Sequence, residues 1–123
     1  MNVYLIMPVD SDPEYAMKRQ ILDKTTAGLG IVMHYPLDKA DSASEFNLSA
    51  ALAQIESAQL VIADLALERP SCYYELGLAQ ACGRPTKLVA PLGTPIHQAA
   101  DRGSVQFYSN ANEYESVIRS CLE

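Results

Sequence analysis

The chain is poor in the features that mark several large function classes. Of its 123 residues, nine are Lys or Arg against fifteen Asp or Glu, for a net charge of −6. The basic residues are scattered, and the densest cluster is only Lys18-Arg19. A protein that tracks a phosphate backbone needs a basic stripe, so this composition argues against DNA or RNA as a partner. A single nucleotide is not excluded, because one arginine or one helix N-terminus can hold one phosphate. No run approaches the about 20 apolar residues of a membrane-spanning helix. The opening MNVYLIMPVD has no basic segment ahead of its apolar run, so a signal peptide is not expected.

Cysteine and histidine are scarce as well. Cys72, Cys82 and Cys121 form an odd set with no pair at metal-ligand spacing. Reduced thiols in a cytoplasmic protein are the simplest reading. Cys72 falls near an expected helix start, where a thiol pKa drops, but no histidine lies near it in sequence. His34 and His97 are far apart and read as structural or surface residues. Neither a metal nor a cofactor is expected. There is no internal repeat, linker or low-complexity segment. The length points to one domain over residues 1–123, with an ordinary hydrophobic content of 49%.

What is present is an alternation of strand and helix signals. Val3 to Met7 is an apolar run of strand length closed by Pro8. Asp12-Pro13 opens a helix, with Asp12 as candidate N-cap, and Gly28 and Gly30 stop it. Ile31 to Tyr35 is a second strand, and residues 37–43 form a polar loop. Ser42 and Glu45 have the spacing of a capping box. Leu48, Ala51, Leu52, Ile55 and Ala58 then recur as on an amphipathic helix. Leu60 to Ala63 is a buried strand ending in Asp64. Cys72 to Cys82 is a helix with Glu75 in its first turn. Lys87 to Pro91 is a fourth strand, 92–104 a loop or partly helical stretch, and Val105 to Tyr108 a short fifth strand. Tyr114, Val117, Ile118, Cys121 and Leu122 form the apolar face of a closing helix.

Strands separated by helices imply parallel strands with right-handed crossovers. The expected architecture is α/β: a flavodoxin-like (Rossmann-like) doubly wound parallel sheet of four or five strands. The expected strand order is 2-1-3-4-5, with helices on both faces. Its switch point lies between strands 1 and 3, where open α/β sheets bind ligands. Met7, Pro8, Val9 and Asp10 then face Asp64 across one crevice, into which the 72–82 helix opens. The helix dipole would keep Glu75 ionised, as a nucleophile requires. Each acid also has a structural reading. Glu75 suits a first helical turn whatever the function, and Asp64 can cap the following loop. From the residues alone, the result is a small-ligand α/β domain with two carboxylates at its crevice.

Three stretches carry a family resemblance: YLIMPV (4–9), VIADL (61–65) and YYELGLAQACGRP (73–85). With them the chain resembles the nucleoside 2-deoxyribosyltransferase-like superfamily, which includes nucleotide N-hydrolases and is related in fold to TIR domains. The resemblance spans roughly residues 3–90. It implies that Glu75 is the nucleophile that attacks the anomeric carbon of a (deoxy)ribosyl group. It also implies that Asp64 is the acid that orients sugar or base, and that Met7, Pro8 and Tyr74 line the pocket. Arg69 stands where many relatives carry Asp or Ser, and could bind a phosphate bidentately. Ser71 is a candidate substitute for the missing group. The family implies a nucleoside or nucleotide as small-molecule partner and assembly as a homodimer or higher homo-oligomer.

Three readings follow. One is an N-glycosidase or deoxyribosyltransferase acting on a nucleoside, nucleotide or NAD-like molecule. The second is a non-catalytic nucleotide-binding or signalling module that retains the pocket. The third is an interaction domain in which both acids are structural.

Overall fold

The computed structural model describes residues 1–35, 47–97 and 99–123. Five parallel strands form one sheet in the order β2-β1-β3-β4-β5. They are β1 (Asn2–Ile6), β2 (Val32–His34), β3 (Leu60–Asp64), β4 (Thr86–Pro91) and β5 (Gln106–Tyr108). Among the described residues, three helices lie between strands, α1 (Tyr15–Thr26), α2 (Leu48–Ser57) and α3 (Pro70–Ala81), and α4 (Ala111–Leu122) follows β5. The flavodoxin-like order, with its reversal between β1 and β3, is the expected one. The expected polar loop at 37–43 and the Ser42–Glu45 capping box lie outside the described residues. The cap of α2 among the described residues is Asn47, whose side chain accepts from the Ala50 N–H at 3.0 Å.

The pleat sorts side chains onto two faces. Val3, Leu5 and Met7, with Leu60 and Ile62, pack against Ile21 and Leu22 of α1 and Tyr114 and Ile118 of α4. Tyr4 and Ile6, with Val61 and Ala63, pack against Ile55 of α2 and Cys72, Leu76 and Ala79 of α3. Every residue of β3 is buried, as expected of a strand covered by helices on both sides.

One boundary matters for function. The 72–82 helix expected from sequence begins two residues earlier, at Pro70, with Arg69 as its N-cap. Proline suits the first helical position because its missing N–H would have no partner there. A short 3-10 turn at Ala66–Glu68 joins β3 to α3, and Leu67 and Glu68 are both left-handed (φ 63° and 50°). The chain therefore reverses sharply between the strand and the helix that carries Glu75.

Candidate active site

Glu75 is the sixth residue of α3, in its second turn and not its first. The helix-dipole effect fades within one turn, so it does not hold this carboxylate ionised as the sequence suggests. Burial pushes the Glu75 carboxyl above its ordinary range, and one hydrogen bond draws it back down. The donor is the Tyr4 hydroxyl, 3.3 Å from Glu75 Oε1. Burial and the charge of Glu75 push the Tyr4 hydroxyl well above its usual value, so it stays protonated and donates. Ser71 lies one turn before Glu75 on the same stripe of α3, since residues four apart are helical neighbours.

Asp64 is elsewhere. It follows Leu60 and Ile62 in the strand alternation, so its side chain turns to the α1–α4 face, opposite Glu75. There it is 2% exposed. Its Oδ2 lies 3.0 Å from Lys18 Nζ. The Tyr108 hydroxyl lies 2.8 and 3.0 Å from its two oxygens. The Ala66 N–H donates at 3.0 Å. Lys18, itself 1% exposed, also bonds Asp12 at 2.6 Å. Burial raises the Asp64 pKa, and Lys18, Tyr108 and Ala66 oppose the shift. The cluster ties the ends of β3 and β5 to α1 and the loop before it. The two sequence-identified acids therefore take opposite faces of the sheet, although the charges of both reach Cys72.

The remaining site candidates divide as follows. Met7 and Pro8 are buried, Val9 is half-buried, and Asp10 is exposed on the loop after β1. Met7 belongs to the α1–α4 core. Arg69 and Ser71 are exposed at the mouth of α3. Tyr74 is 53% exposed. Cys72 is not an activated thiol: burial, then the charges of Glu75 and Asp64, push it up to about 12. His97 is structural, with Nε2 2.5 Å from Glu68 and its backbone N–H donating to the Tyr73 hydroxyl.

Sequence reasoning missed Tyr4 and Lys18 as polar partners. Each left a signal. Tyr4 interrupts an otherwise aliphatic buried strand, and a buried tyrosine hydroxyl usually finds a partner. Lys18 sits three, four and seven residues before Ile21, Leu22 and Thr25, the buried stripe of α1.

No protein-family model matches the chain, and no curated protein does. Solved structures do. A 2-deoxyribosyltransferase from the psychrotolerant bacterium Bacillus psychrosaccharolyticus aligns with a TM-score of 0.66 at 19% identity, over 94% of this chain and 90% of that one. A CMP N-glycosidase from Clostridium botulinum aligns at 0.65 and 18% identity, over 96% and 98%. A 2-deoxyribosyltransferase from Leishmania mexicana aligns at 0.58 and 19% identity, over 89% and 81%. Along nearly its whole length, the chain has the fold that these deoxyribosyltransferases and this N-glycosidase share.

Proposed function

We propose that the protein cleaves or transfers an N-glycosidic bond of a nucleoside, nucleotide or NAD-like molecule, with Glu75 as nucleophile. The observation that carries this reading is the half-buried Glu75 carboxylate held by the Tyr4 hydroxyl, on a fold shared with enzymes of that chemistry. A carboxylate can stabilise an oxocarbenium-like transition state and trap it. Glu75 oxygen bonds to the anomeric carbon as the carbon–nitrogen bond breaks and its electron pair leaves with the base. Water or a second base then releases the sugar. Tyr4 positions the nucleophile.

Asp64 acts through architecture in this account, as a positioning residue that fixes the end of β3 beside the loop at Met7, Pro8, Val9 and Asp10. Arg69 and Ser71, at the mouth of α3, are the groups suited to a substrate phosphate, with Tyr74 at the rim. The chain works as one cytoplasmic domain and assembles as a homo-oligomer. A second reading, a binding module without turnover, is favoured by one observation: burial pushes the Glu75 carboxyl toward its neutral form, which is a poorer nucleophile.

The test is a chromatographic screen for free base. Nucleosides, deoxynucleosides, their 5′-monophosphates and NAD are incubated with wild type and with Glu75→Ala. Base released by wild type alone is the expected result. Thermal stabilisation by a panel member without base release supports the binding module. Arg69→Ala is expected to slow nucleotides about tenfold more than nucleosides, as loss of a charge-assisted hydrogen bond would. Equal effects on both remove Arg69 from the phosphate site.

A further inference from the structure

His34 ends β2 at the edge of the sheet, in register with Tyr4 of β1. Ile31, Met33 and Tyr35 pack on the α1–α4 core, so the pleat turns His34 to the opposite face, the one that holds Tyr4 and Glu75. Neighbouring strands lie about 4.8 Å apart. The imidazole thus flanks the ring whose hydroxyl donates to Glu75. His34 Nε2 is buried and meets no hydrogen-bond partner among the described residues. Buried polar atoms rarely go unpaired, and one that does calls for an explanation, a catalytic role among them.

Resting on the glycosidic reading of Glu75, we propose that His34 is the proton donor to the departing base. When the anomeric carbon–nitrogen bond breaks, its electron pair moves onto the base. A neutral purine or pyrimidine must then take up a proton to leave. Protonated His34 supplies that proton from Nε2 while the bond to Glu75 forms. In the second half, water attacks the anomeric carbon and Glu75 leaves as a carboxylate. The hydroxyl of water stays on the sugar, and its other proton returns to His34. The neighbouring groups are poorly suited to this role. Tyr4 holds its proton too tightly, as does Cys72, and Asp64 is on the other face. Imidazole is the side chain that exchanges protons near neutral pH.

The experiment compares a purine nucleoside with its 7-methyl derivative. The methylated ring already carries a positive charge and leaves without taking up a proton. Wild type, His34→Gln and His34→Ala are assayed on both. For the unmethylated substrate, kcat is expected to fall about 100-fold or more in each variant, with KM little changed and partial rescue of His34→Ala by added imidazole. The methylated substrate should be cleaved at near wild-type rate, which also shows that the variants fold. Equal losses on both substrates, no loss on either, or wild-type cleavage of the methylated substrate alone would overturn the role of His34. A wild type that cleaves neither, and releases no base from any nucleotide, pyrimidine nucleoside or NAD, overturns the glycosidic reading itself, and the proton donor falls with it; if it cleaves only one of those, an unchanged kcat of His34→Gln on that substrate overturns the role of His34.

Discussion

The two faces of the sheet treat their charged groups in opposite ways. On the α1–α4 face, Asp64, Lys18, Asp12 and Tyr108 are all buried and bonded to one another. On the α2–α3 face, Glu75 is half-buried with one long hydrogen bond, and His34 Nε2 has no partner among the described residues. A buried ionic cluster with its bonds made is worth keeping intact, because removing one member strands the others. A polar group held near but short of full pairing retains capacity for a substrate. On the proposed function, the first face is architecture and the second carries the chemistry.

The sharpest way to break that contrast is to delete Glu75. Glu75→Ala is expected to lower turnover at least about 1000-fold, as loss of a group acting mainly in the transition state does. Its stability should change by about 1 kcal/mol or less. Chemical denaturation beside the base-release assay reads both, and matched losses would make Glu75 structural.

Lys18→Met should do the reverse. It leaves Asp12 and Asp64 buried without their shared cation, for an expected loss of about 3–5 kcal/mol. A shift in the urea midpoint measures it. A variant as stable as wild type would show that the cluster does not hold the fold together.

Tyr4→Phe sharpens the account of the active face. Turnover is expected to fall about tenfold, in line with a hydrogen bond to a charged group. The acid limb of the pH–rate profile should move to higher pH, since the bond that lowers the Glu75 pKa is gone. An unmoved limb would separate Tyr4 from the nucleophile.

The smallest expected effect is on the pH dependence of stability. The folded pKa of Glu75 is raised by burial above the about 4.3 of an unfolded glutamate. Its contribution is therefore fully present below about pH 4 and lost as pH rises through the folded value. Relative to Glu75→Gln, the wild type should lose melting temperature between about pH 4 and neutrality. Parallel curves for the two proteins would contradict a raised pKa.

Much of this was legible in the sequence, and most of the rest depends on relations that only the folded chain makes. The strand order follows from short apolar runs alternating with helical periodicity. The helix carrying Glu75 is marked by Pro70 at one end and Gly83-Arg84-Pro85 at the other. Which face an acid takes is a different matter. Asp64 and Glu75 lie eleven residues apart in chain and near the same end of the sheet, yet the pleat sends Asp64 to α1 and the crossover places Glu75 above β1. Lys18 reads as a surface lysine until its two aspartates, 6 and 46 residues away in sequence, are folded around it. The expected first-turn position of Glu75 failed because the helix starts at Pro70. The relation of His34 to Tyr4 is invisible in sequence because it exists only through the β1–β2 register.

The most direct test of the central claim is to look for the bond that Glu75 would form. Wild type is incubated with the substrate that releases base, quenched in acid, and digested for peptide mass mapping. One (deoxy)ribosyl group is expected on the α3 peptide, on Glu75, with no such adduct in Glu75→Ala. Base release that persists in Glu75→Ala, with no adduct on the wild-type peptide, would contradict it.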